Sequence, residues 1–238
     1  MKNNWELYIS NNIELTETAY KYCTINFSHE ELIKELSSND EIKKQLSIIN
    51  INKVNNEEES FLLALNLVGK GGPIREAASF KINELIRQNN YKIFFQQSEI
   101  IEFLLSAITD INPSVSRNAV EIIEYIDNKI YIIEELYKKI FMSLEELKIY
   151  NLKKSYLLNK KTFSLYWNLE ALVSLSDKIT LTKNLEDILS QTSSFNDYTI
   201  REKCALLLSR LKESNETTLN LMTKLKNDDN IFVKRHLL

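Results

Sequence analysis

Apolar residues recur along the chain at helical spacing. Ile100, Ile101, Leu104, Leu105 and Ile108 make one stripe, and Ala119, Ile122, Ile123 and Ile126 follow i, i+3, i+4, i+7. Ile200, Cys204, Leu207, Leu208 and Leu211 follow i, i+4, i+7, i+8, i+11. Each stripe predicts an amphipathic helix with one buried face. Between them come short polar turns built from Asn, Asp and occasionally Pro, residues suited to cap the helix that follows.

The turns repeat. Five of them place a β-branched residue just after the polar stretch, usually a basic residue within two positions, and an inward-facing residue four places on. The anchors are Ile42, Ile74, Val115, Ile200 and Val233, separated by 32, 41, 85 and 33 residues. A period of this size signals stacked helix pairs rather than a bundle. The gap of 85 is close to twice 42, which predicts a degenerate unit anchored at Leu158, with Thr162 in the inward position.

Gly72-Pro73-Ile74-Arg75-Glu76-Ala77-Ala78 and Asn196-Asp197-Tyr198-Thr199-Ile200-Arg201-Glu202-Lys203-Cys204 carry the pattern best. It resembles the HEAT repeat, whose second helix opens with Asp, then Val-Arg and a small residue. The resemblance spans about residues 29 to 238. It departs at Leu158, followed by Asn159 instead of a basic residue, and at Val115, where Arg117 comes one place late. It implies an all-α, right-handed α-solenoid of about six HEAT-like helix pairs. Residues 1–28 fall outside the period, and Ile13, Leu15, Ala19, Tyr20 and Cys23 suggest a capping helix over the first repeat. Residues 29–238 form the repeat array, in a single domain overall.

Composition narrows the functions. Among 238 residues there are 3 Gly and 2 Pro, where ordinary usage gives about 17 and 12. So few breakers argue against a sandwich, barrel or propeller. The glycines Gly69, Gly71 and Gly72 lie together before Pro73, so neither a dinucleotide fingerprint nor a phosphate-binding P-loop is present. That cluster reads as a turn that ends one helix and starts the next. The net charge of -3 lacks a global basic excess. The first residues carry no apolar stretch of leader type, and the run from Phe61 to Val68 is too short to span a bilayer. The expected location is the cytoplasm, with no membrane contact. Cys23 and Cys204 have no C-x-x-C partner, so neither a disulfide framework nor a metal site is expected.

Catalytic constellations are not evident. His29 and His236 stand at opposite ends of an array whose units touch only their neighbours, and the carboxylate runs read as solvated helix faces. No catalytic residue, metal or cofactor is assigned. Arg75, Arg117 and Arg201 suggest an anion-binding ladder or, more simply, clamps onto turn carboxylates and carbonyls such as those of Asp110, Asp197 and Asp228.

One segment stands apart. From Tyr137 to Trp167 there are seven lysines against two acids, interleaved with Tyr150, Tyr156, Tyr166 and Trp167. Phosphate contact and base stacking use such residues, although solvated helix edges around core aromatics have the same composition. The candidate partner-binding set is Lys153, Lys154, Lys160, Lys161, Tyr156, Tyr166 and Trp167. Three functions follow. The first is a noncatalytic scaffold binding a protein or peptide on its concave face. The second is a nucleic-acid-binding protein similar to HEAT-like DNA glycosylases, working through residues 137–167. The third is a chaperone or lyase subunit similar to HEAT-like phycobilin lyases.

Overall fold

The computed structural model describes residues 17, 20, 21, 27–150 and 156–238, with the side chains of 149, 150 and 156–158 left aside. The expected cap over residues 1–28 and the candidates Lys153 and Lys154 therefore lie almost wholly or wholly outside the described residues. Among the described residues every regular element is helical. By compactness the chain divides into two units, residues 1–104 and 105–238.

The first unit holds α1 (His29–Glu35), α2 (Glu41–Asn50), α3 (Glu57–Leu65), α4 (Gly72–Ile86), the short α5 (Asn89–Lys92) and a 3-10 turn, Ile93–Phe95. It also holds most of α6 (Ser98–Ala107). Within it α1 packs on α2, α3 on α4, and the two second helices α2 and α4 on each other. Ile48, Leu63, Ile82 and Phe95 are fully buried there.

The second unit holds α7 (Pro113–Ile123), α8 (Lys129–Tyr150), α9 (Tyr156–Ser174), a 3-10 turn Ser176–Lys178, α10 (Lys183–Thr192), α11 (Tyr198–Arg210), α12 (Glu216–Lys226) and α13 (Ile231–Lys234). Its packing has two layers. The first helices follow one another, α8 on α10 and α10 on α12, while the second helices run α7, α9, α11, α13 in the same order. Within the two units five consecutive helix pairs pack together: α1–α2, α3–α4, α8–α9, α10–α11 and α12–α13. This is the all-α, repeated-pair architecture the periodicity predicts.

The local rules are visible at the turns. Asp40, Asn112, Asp197 and Asn230 each sit at an N-cap in extended backbone and accept a bond from the N–H two residues on. That satisfies donors a helix start otherwise leaves open. Pro113 opens α7, and Pro73 falls in the first turn of α4. Gly69 has φ +111, which an L side chain rarely adopts. It lies four residues past the end of α3, so it shapes the loop and does not end the helix, contrary to the sequence reading.

The anchors divide. Val115, Ile200 and Val233 are fully buried and Ile74 is buried, whereas Ile42 is only half-buried. Leu158 belongs to the first turn of α9, and its side chain is outside the described set. The described buried stripe of α9 opens at Leu165 and continues through Leu169 and Leu172. Leu165 is two turns beyond Leu158 on the same helical face, and Thr162, expected inward, is half-buried. The two helices here are long. α8 has 22 residues and α9 has 19, against 10 and 13 in α10 and α11. At 1.5 Å per residue α8 runs about 33 Å beside about 15 Å for α10.

Candidate functional site

The second-helix layer of residues 105–238 is tied laterally by ion pairs. Glu170 on α9 meets Lys203 on α11 at 2.6 Å, and Glu202 on α11 meets Arg235 at 2.7 Å, just past α13. Lys203 Nζ also stands 4.9 Å from the centre of the Tyr166 ring, within cation–π range. Burial by itself pulls the Lys203 ammonium down. The hydrogen bond and charge of Glu170, joined by Tyr166, outweigh it and leave the lysine above its ordinary range. Lys203 is therefore cationic, sheathed by a tyrosine and neutralised by a half-buried carboxylate.

Arg201 answers the question of an anion ladder at its own position. Its Nε donates to Asp228 Oδ2 at 2.7 Å, and one Nη2 hydrogen to Asp228 Oδ1 at 3.0 Å. The other Nη2 hydrogen goes to Asp229 Oδ1 at 3.2 Å, and Nη1 donates to the carbonyls of Phe195 and Asn196. A guanidinium has five N–H donors, and all five are spent on protein acceptors. Arg201 clamps the turn before α11 to the turn before α13. Arg75 donates to the Gly69 carbonyl at 2.8 Å within its own turn. Arg117 is exposed and makes no hydrogen bond among the described residues.

Two of the three carboxylates expected to receive arginines also close their own turns. Asp197 Oδ1 accepts from the Thr199 N–H and hydroxyl, and Asp110 Oδ1 accepts from the Asn112 N–H. Asp228 is the acceptor of Arg201. Its Arg201 partner holds its carboxyl down to about 2, against a smaller opposing push from burial.

The basic segment separates into its parts. Lys161 pairs with Glu146 across the α8–α9 hairpin at 2.5 Å, Lys138 with Glu135 at 2.6 Å and Lys148 with Glu145 at 2.5 Å. Lys160 is exposed. Tyr156 opens α9, and its side chain is not described. Tyr166 is half-buried, with its ring edge-on to Trp167 at 5.5 Å. Trp167 is 8% exposed, also meets Phe163 edge-on at 6.1 Å, and so contributes to the core rather than offering a free face. Tyr137 is buried as well, and burial pushes its hydroxyl above the ordinary range while Thr182 partly offsets it. Trp167 Nε1 and Asn168 Oδ1 are buried without a hydrogen-bond partner among the described residues.

Elsewhere the chemistry is structural. His29 Nε2 shares a hydrogen bond with Glu59 at 2.8 Å, and His236 Nε2 with Glu202 at 3.2 Å. Cys204 is fully buried, and burial pushes its thiol up to about 12, far from a reactive thiolate. Among the described residues no three His, Cys, Asp or Glu side chains converge as metal ligands. No helix among them is long and apolar enough to cross a membrane.

Sequence reasoning missed the lateral pairs: Glu202 and Arg235 both stand two places past their anchors, Ile200 and Val233, but nothing in the spacing marks them as facing each other.

The layered packing of paired helices defines a helical-repeat protein. No family model matches the chain, and no curated protein matches it. Among solved structures it is similar to an engineered protein at 12% identity and a TM-score of 0.47, covering 89% of this chain and 94% of the other. It is also similar to a designed armadillo repeat protein at 11% identity and a TM-score of 0.48, covering 88% and 97%. Likenesses at that level carry no function across.

Proposed function

We propose that the chain is a noncatalytic scaffold of HEAT type that binds a protein or peptide partner on its second-helix face, the concave face expected of such an array. The supporting observation is the uninterrupted run of four second helices in residues 105–238, joined side to side by the Glu170–Lys203 and Glu202–Arg235 pairs. Half-exposed charges and the Tyr166 ring on one rigid layer suit orientation of an extended partner better than bond-making. A nucleic-acid partner is supported less well, because three lysines of the basic segment are held by glutamates.

Photo-crosslinking tests this reading. A benzophenone side chain placed at Glu121 or Leu206, on second helices, should capture a protein from extracts of the source cells, and excess unlabelled chain should compete. The same group at Asp187 or Thr217, on first helices, should not. Equal capture by both layers, or adducts released by nuclease, would overturn it.

A further inference from the structure

The two helix layers of residues 105–238 differ in charge. The first helices α8, α10 and α12 hold seven basic and seven acidic side chains. The second helices α7, α9, α11 and α13 hold seven basic side chains against three acidic, in a chain whose net charge is -3.

Internal pairing accounts for three of those seven cations. Lys161 is matched by Glu146 of α8, Arg201 by Asp228, and Lys203 by Glu170. The other four have no carboxylate. Arg117, Lys160 and Lys234 make no hydrogen bond or ion pair among the described residues, and Arg210 reaches only the Val173 carbonyl, at 3.4 Å. Arg117, Lys160 and Arg210 are exposed. The carboxylates of the same helices are engaged: Glu170 holds Lys203, Glu202 holds Arg235, and Glu121 is not free either. At the turns, Asp228 and Asp229 both meet Arg201. Each second helix thus presents one cation that the described residues leave without a carboxylate.

We propose that the partner of this face is a carboxylate-rich polypeptide segment, whose acidic side chains meet Arg117, Lys160 and Arg210. The proposal rests on the second-helix reading and names the chemistry of that partner. Exposed arginines suit it, because a guanidinium fork matches a carboxylate with two parallel hydrogen bonds. A nucleic-acid strand fits less well. It carries a charge about every 3.4 Å, whereas these cations stand on successive helices whose axes lie about 8–10 Å apart. Glu170 and Glu202 are interleaved with them on α9 and α11 and would repel an unbroken run of phosphates.

Fluorescence anisotropy on the full chain tests this with three labelled probes: a peptide of Glu-Ala-Ala repeats, its Gln-Ala-Ala counterpart, and an oligothymidylate with as many charges as the first. At about 50 mM salt the Glu peptide should bind about tenfold or more tighter than either of the others, and it should weaken about tenfold at about 500 mM. Arg117→Gln, Lys160→Gln and Arg210→Gln should each weaken it about two- to fivefold. Arg117 and Lys160 bond to nothing described, so their double variant keeps the test sound if Arg210→Gln disturbs the fold. Lys183→Gln and Lys226→Gln, on first helices, should leave binding unchanged. A Glu peptide that binds no better than its Gln counterpart, or less tightly than the oligonucleotide, overturns the acidic partner and leaves the second-helix reading to its own crosslinks. Equal losses from first-helix and second-helix substitutions overturn the face as well.

Discussion

Arg201 and Asp228 are 27 residues apart in sequence, yet a single bidentate contact fastens two successive turns. The arginine side chain is 15% exposed and the aspartate 8%, so the pair is shielded more than a surface bridge. Arg201→Lys keeps the charge but offers three donors from one point instead of a five-donor fork. It should lower stability by about 1–2 kcal/mol in denaturant unfolding. The pH dependence follows from the same contact. The folded Asp228 carboxyl titrates at about 2, below its ordinary 3.8. Its contribution is therefore complete above about pH 4 and drains away as pH falls toward 2. Wild type should lose about 2 kcal/mol more than Asp228→Asn across that window, and an equal loss in both would refute the assignment.

At the scale of elements, two neighbouring glycines separate backbone need from mere tolerance. Gly69 has φ +111, while a Cβ at Gly72 would meet nothing within 4 Å. Gly69→Ala should destabilise by about 1 kcal/mol or more, and Gly72→Ala, at the start of α4, should stabilise by about 0.4–1 kcal/mol. Thermal melts of the two variants moving in the same direction would refute that distinction. The α8–α9 hairpin gives a second test. Its extra turns outrun the neighbouring helices, so replacing residues 146–161 by a short Gly-Ser linker should leave a cooperatively folding chain. Its melting point should stay within about 5 °C of wild type. Loss of cooperative unfolding would show that those turns belong to the stack.

For the molecule as a whole, sequence and structure agree where one helix turn repeats cleanly. Val115, Ile200 and Val233 announced their pairs because a capping Asn or Asp, a β-branched residue and a helical stripe coincide there. Leu165, Leu169 and Leu172 carry the described buried stripe of α9, on the face that Leu158 shares by its spacing. Arg201 was legible as a clamp, since its acceptor lies one period on. The Tyr166–Lys203–Glu170 cluster was not, because it depends on which residues of α9 and α11 come to face each other when the two helices pack.

The clamp also has a mechanical side. Asp228 sits between α12 and α13, and Arg201 belongs to the preceding pair, so tension applied through Leu238 loads this contact among the first. An array held only by apolar stacking would peel from its end at a force nearly independent of acidity. Here the force that detaches α13 from α11 should fall only as pH drops from about 4 toward 2, which makes the contact a proton-tunable latch.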